Sequence, residues 1–286
     1  MKTYKAVPLG SVKYLLGESP FWDPRTGIFS FVDITAKKFC FFKEGGEIKE
    51  LELDQMIGTA LPCSTPGTYL LCMTDGLYLT DIETLKVTKY MDLTDVYEPW
   101  QRSNDCKADP FGRLFFGSSC FVDDKGFNGD LRLLDKGKVS ILQPDTKISN
   151  GMAWSADRKH FFFSDTIERT VSVYDYDPES GKISNRKTLF EPENGMSDGL
   201  CIDSCDNIWV AHWAGSRIEC RSGKDGTLLA AIEVPAKNVT SCCFCGPDLE
   251  DLFITTSGDG ETGEHDGKIF ICKTDVKGTG PDYFIP

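Results

Sequence analysis

No stretch of this 286-residue sequence approaches the about twenty apolar residues that cross a bilayer. The first twenty residues, MKTYKAVPLGSVKYLLGESP, hold no apolar core of signal-peptide length, so a soluble, cytoplasmic protein is expected. Positive charge is also short, with 31 Lys and Arg against 44 Asp and Glu and a net charge of -13. That field repels phosphate backbones and anionic lipid while favouring cations, so neither nucleic acid nor a membrane is an expected partner. No Pro/Ser-rich linker or charge block divides the chain, and a single domain spanning 1–286 is expected.

Cysteine is plentiful, at twelve residues, but disulfide scaffolds are short chains and this one is long enough to bury a large core. Cys40 in KKFCFF, Cys72 in YLLCM, Cys201 in GLCID and Cys272 in IFICK sit inside apolar, β-like runs. They read as reduced thiols acting as small hydrophobes. In the densest cluster, SCCFCG, neighbouring residues on a strand point to opposite faces, unlike the converging pairs of a zinc knuckle.

A unit recurs along the chain: a polar residue, a short apolar strand, Asp/Gly turn chemistry, an aromatic strand and a third strand. It begins at Glu18, Thr59, Asn104, Asn150, Asp198 and Thr240, at intervals of about 40 to 48 residues. That is the period of a four-stranded propeller blade. Alternation such as IFSFVDI and turns such as DPRTG argue strands and hairpins, with little 3.6-residue periodicity. The expectation is an all-β, six-bladed propeller of four-stranded antiparallel blades. The N-terminal YKAVPLG is expected to add an outer strand to the last blade and close the ring.

Four of the six repeat starts are Glu18, Asn104, Asn150 and Asp198. The innermost strand of each blade lines the central channel, so equivalent positions face one another across the axis. Taken singly, Asn150 and Asp198 before glycine are ordinary turn residues and Glu18 a solvated loop residue. Taken together in repeat phase, they form an oxygen-rich site suited to a hard divalent cation, Ca²⁺, Mg²⁺ or Mn²⁺, with Zn²⁺ possible although no His or Cys shares the position.

LGESPFWDP with FVDI, RSNDCKADPFGRLFFG, ISNGMAW, SVYDYDPESGKISNRK, SDGLCIDSCDNIWVA and VTSCCFCGPDLEDLFIT together resemble the gluconolactonase / regucalcin / luciferin-regenerating enzyme family over nearly the whole chain. The resemblance implies a six-bladed propeller with one divalent metal in its channel and, in many members, hydrolysis of sugar lactones. By the same match Glu18, Asn150 and Asp198 are metal ligands, and Arg102 and Asn104, within RSND, contact substrate. The implied activity is a metal-dependent opening of an aldonolactone to the aldonic acid, with Asp198 as ligand and base. SSCFVDDKGFNGDLRLLD is shorter than the lid of the animal members, and Ser103 stands where a bulkier residue is frequent. A wider mouth and a larger lactone are expected.

Other features carry less. His212 and Trp213 in VAHWAG follow a strand near a blade mouth, where Trp213 and His212 can line a pocket, although a packed His is the simpler reading. His160 and His265 fall on turns, and SGDGETGEHDG lacks the order of an EF-hand loop. Two other functions remain open at this level: an esterase or phosphotriesterase using the same metal, and a non-enzymatic calcium-binding propeller.

Overall fold

The structure, a computed structural model, describes residues 1–286, the side chain of Asp123 excepted. It is a six-bladed β-propeller. The six repeat starts all fall on innermost strands: Gly17–Asp23, Ile57–Pro62, Gln101–Ala108, Ser149–Trp154, Met196–Ile202 and Asn238–Cys245. Each inner strand opens an antiparallel sheet and packs against the inner strands on either side, with Asn238–Cys245 meeting Gly17–Asp23 to complete the ring. Among the described residues the only helix is the short 3-10 turn Asp123–Lys125, and no helix is long and apolar enough to cross a membrane.

The aromatic second strands explain the blade-on-blade packing. Ile28–Asp33 is buried along its whole length because both of its faces meet neighbouring sheets. Phe29 stacks on Phe42 at 5.0 Å within the first blade and meets Phe253 of the last blade edge-on at 5.4 Å. Phe115 makes the same kind of contact with Trp154 across the third and fourth blades, at 5.0 Å. Edge-to-face geometry suits the ring quadrupoles and fixes the angle between sheets. The cysteines behave as small core residues: all twelve are free thiols, and nine of them are buried.

Ring closure is more elaborate than a single N-terminal strand. Val7–Pro8 supplies the outermost strand of the last blade, pairing antiparallel with Phe270–Lys273, as expected from YKAVPLG. The preceding Lys2–Lys5 instead pairs parallel with Leu228–Glu233, giving the fifth blade a fifth strand. The C-terminal segment then crosses the opposite face of the ring. Its amides reach Leu249 and Ile202 through Gly278 and Thr279, Phe284 pairs with Cys63, and Ile285 donates to Gly112. The Arg25 guanidinium sits 3.5 Å from the Tyr283 ring centroid and anchors this strap.

Asn150 and Gly151 do not form a hairpin turn. They lie inside the strand Ser149–Trp154. A Cβ at Gly151 would stand 2.4 Å from the Leu200 amide nitrogen, and one at Gly199 would stand 2.1 Å from the Ser241 hydroxyl. Glycine follows Asn150 and Asp198 because inner strands converge there, leaving no room for a side chain.

Candidate active site

Every inner strand breaks register at the repeated position. The shifts fall between Glu18 and Phe21, Ile57 and Thr59, Ser103 and Cys106, Ser149 and Met152, Ser197 and Leu200, and Val239 and Ser241. A bulge bends its strand and re-aims side chains that the ladder would otherwise point between sheets. In the first blade it carries Ser19 at a φ of 52°. The chain entering two of these bulges is held by carboxylates of the second strands: Asp33 accepts from the amides of Leu15 and Leu16 at 2.8 and 3.1 Å, and Asp165 from those of Lys147 and Ile148 at 2.8 and 3.2 Å. Glu18 and Asn150 each follow two residues later.

Glu18, Arg102, Asn104, Asn150 and Asp198 line one cavity of about 310 Å³ at one end of the axis. All five residues singled out in the sequence are thus brought together. The Asn150 amide nitrogen donates to the Thr166 hydroxyl at 2.5 Å, and its oxygen accepts from the Asn104 amide at 2.7 Å. Thr166 in turn donates to the Ser197 carbonyl at 2.8 Å, tying Asn150 to the residue before Asp198. These contacts turn the Asn150 oxygen in a fixed direction. Asn104 therefore positions Asn150 as well as lining the wall. Arg102 donates to the Asn104 oxygen and the Ser103 carbonyl, both at 2.8 Å, while its Nε is buried without a partner.

The two carboxylates are poorly satisfied. Glu18 accepts from its neighbouring Ser19 amide at 3.0 Å, and one Asp198 oxygen is buried with no hydrogen-bond partner. Burial pushes both acids well above the ordinary carboxylate range; Asp198 and then Asp105 raise Glu18 further, and Asp105 raises Asp198. Two buried acids and an oriented amide oxygen form a donor set made entirely of oxygen, which is the chemistry of a hard-cation site. The orphaned Asp198 oxygen is a buried polar atom that a cation would satisfy.

Asp105 was not legible as a site residue, because strict alternation places it behind Asn104. The bulge between Ser103 and Cys106 removes that alternation. Asp105 is half-buried and lines a small void of about 20 Å³ with Ser19 and Lys107; burial lifts its pKa to about 6 against the pull of Lys107 and Arg102. Lys107 caps the Met152 and Leu200 carbonyls at 2.9 and 3.1 Å across the axis. Of the other candidates, Trp213 does line the cavity, whereas His212 is fully buried in the fifth blade, with Nδ1 2.8 Å from the Asn194 carbonyl and Nε2 3.5 Å from Glu219. His265 sits 3.2 Å from Lys268 in a surface hairpin.

Residues 16–258 match the family model described as the SMP-30/Gluconolactonase/LRE-like region. The chain belongs to this family. Within the SMP-30/gluconolactonase/LRE-like family it is 31% identical over 300 residues to a regucalcin of Gallus gallus, with 98% of each chain covered. It is 30% identical over 284 residues to a putative sugar lactone lactonase, YvrE, of Bacillus subtilis (strain 168), covering 96% of this chain and 97% of the relative. Among solved structures of the family, a calcium-binding protein, regucalcin, from Agrobacterium tumefaciens superposes with a TM-score of 0.92 at 26% identity, covering 99% of this chain and 98% of that one.

Proposed function

We propose that this protein hydrolyses a lactone ring in the axial cavity with the help of one divalent cation held by Glu18, Asn150 and Asp198. The observation that carries the reading is the buried, unpartnered carboxylate oxygen of Asp198 in the same cavity as Glu18 and the oriented amide of Asn150. Ca²⁺ is the favoured ion, since the donors are hard oxygens and the structural neighbour from Agrobacterium tumefaciens is described as calcium-binding; Mg²⁺, Mn²⁺ and Zn²⁺ compete for such donors. When bound, the cation supplies Lewis-acid polarisation and an acidified water.

Asp198 accepts the proton from the water that attacks the lactone carbonyl carbon. The carbon–ring-oxygen bond then breaks, and the same proton passes from Asp198 to the departing ring oxygen, leaving a hydroxy acid. Acid–base assistance of this kind contributes about 10²- to 10⁴-fold. Arg102 holds the substrate: its guanidinium is pinned on Asn104 and Ser103, so its remaining donors are pre-aimed at ring or carbonyl oxygens. Asn104 shares that wall. The name of the Bacillus subtilis relative supports a sugar-type ring.

A pH-indicator assay over lactones and aryl phosphotriesters, run with Ca²⁺ and with chelator, tests the proposal. Acid release from lactones alone, lost on chelation and restored by Ca²⁺, is expected. Lactone hydrolysis indifferent to chelator refutes the metal. Release from phosphotriesters alone makes the protein a different metal-dependent esterase, and silence on both leaves a calcium-binding propeller.

A further inference from the structure

Burial sorts the walls of the axial cavity into two levels. Glu18, Asn104, Ser119, Asn150, Thr166 and Asp198 are all buried and form a polar floor, with Ile34 the one buried apolar side chain among them. Leu16, Ile148, Ile167, Met196 and Trp213 are half-buried and Phe127, on the short lid segment, is 53% exposed, so these six form the outer wall. Among the described residues, the one charged or amide side chain at that level is Arg102, half-buried and pinned on Asn104 and Ser103 at 2.8 Å. The one further outer residue, Cys120, spends its thiol on the Val122 backbone at 3.2 and 3.4 Å.

We propose that the substrate is a lactone whose ring is hydroxylated where it meets Arg102 and Asn104, but whose exocyclic group is an alkyl chain lying against Leu16, Phe127, Ile148, Ile167, Met196 and Trp213. This rests on the lactone-hydrolase reading and names the substrate class within it. A polyhydroxylated exocyclic tail loses water against this wall and meets only the Trp213 indole N–H as a side-chain partner once Arg102 is engaged by the ring, which disfavours its binding. Each methylene of an alkyl tail gains instead, by about fourfold in affinity when fully buried. A pentyl tail against a half-exposed wall is thus expected to gain on the order of 10- to 100-fold over hydroxymethyl. Polar specificity is confined to the floor and Arg102, whose donors and acceptors reject rings that cannot satisfy them.

The test is a matched pair of δ-lactones with identical ring hydroxyls, one carrying hydroxymethyl and the other pentyl, assayed in Ca²⁺. In parallel, the binding of the corresponding non-hydrolysable lactams is measured by calorimetry. A kcat/KM and an affinity at least tenfold higher for the pentyl members are expected, with Phe127→Ser and Ile167→Ser each narrowing the ratio. Hydrolysis of the hydroxymethyl lactone equal to or faster than that of the pentyl lactone overturns the inference and leaves the lactonase reading standing. Tighter binding of the pentyl lactam with neither lactone hydrolysed supports the ligand class and overturns the hydrolase reading. Equal lactam affinities, or a ratio unmoved by both substitutions, overturn the inference whatever the turnover.

Discussion

Replacing Asp198 with Asn separates the structural cost of the site from its chemistry, because the two move in opposite directions. In the absence of metal, Asp198 is a buried acid with one oxygen unpartnered, beside a second buried acid. A buried polar group left without a partner costs about 1–3 kcal/mol, and more for a charge. Asp198→Asn replaces the acid at constant shape and removes the cost of burying or protonating a carboxylate, so in chelator the variant is expected to equal or exceed the parent in stability, by up to about 1–2 kcal/mol. In Ca²⁺ the order reverses. A cation bound only by the native state stabilises it by about 2.7 kcal/mol at a hundredfold excess over Kd. For a chain of this size that is a rise in melting temperature of roughly 4–5 °C. With one of its two carboxylates gone, the variant is expected to show a rise below about 1 °C at the same concentration. Differential scanning fluorimetry across a Ca²⁺ titration, with EDTA as origin, reads both effects. A variant less stable than the parent in EDTA that still gains the full shift in Ca²⁺ refutes the assignment of Asp198 as a ligand, whatever happens to activity.

Thr166→Val cuts the hydroxyl that accepts from the Asn150 amide at 2.5 Å and donates to the Ser197 carbonyl. Losing such support for Asn150, a ligand in the proposed site, is expected to weaken cation affinity about 10- to 100-fold with the fold retained, as calorimetric Ca²⁺ titration and circular dichroism together would show. Asp105→Asn acts through pH. The native pKa of Asp105, raised to about 6, exceeds the ordinary carboxylate value of about 3.9, so the protonated native form contributes stability that is fully present below about pH 4 and is lost as pH rises through 6. The Asn variant in chelator is therefore expected to lack that decline between pH 4 and 7 in urea denaturation, and an unchanged slope would refute the raised pKa. Phe284→Ala empties a site that is 2% exposed at the end of the C-terminal strap, and a loss of about 3–5 kcal/mol is expected by urea denaturation.

The propeller was legible because its signal is repetition, which survives weak local propensities. The six starts read from Glu18, Thr59, Asn104, Asn150, Asp198 and Thr240 each fall on an inner strand. The convergence of Glu18, Asn104, Asn150 and Asp198 on one cavity followed from the same repeat phase, whereas Arg102 came from the family resemblance alone. What escaped was whatever depends on departures from the repeat. Asp105 is displaced by a bulge that alternation cannot anticipate. Thr166 lies on the hairpin after a second strand, outside the repeated position, and its contact with Asn150 is fixed by packing between blades. The dipeptides Asn150-Gly151 and Asp198-Gly199 misled locally for a related reason. Their turn chemistry is overridden by the crowding of inner strands, which demands glycine without demanding a turn.

The two repeat starts that carry no acid or amide show how the ring supports the four that do. The Thr59 hydroxyl donates to the Asn104 carbonyl at 2.9 Å and accepts from the Cys106 amide at 3.0 Å, holding both ends of the bulge that presents Asn104 and Asp105. Across the axis, the Thr240 hydroxyl lies 2.6 Å from the Gly17 carbonyl and 2.8 Å from the Thr255 hydroxyl, fixing the residue before Glu18. A short hydroxyl suits this task because it satisfies bulge backbone groups that the broken ladder leaves unpaired. A carboxylate at either position could not donate to a carbonyl, and a third acid in the channel would add charge where two buried acids already repel. Four of the bulges thus have a backbone carbonyl satisfied by a side chain of the preceding blade: Gly17 by Thr240, Asn104 by Thr59, Ser149 by Asn104 and Ser197 by Thr166, so the threonine starts and Asn104 brace the positions that face the axis.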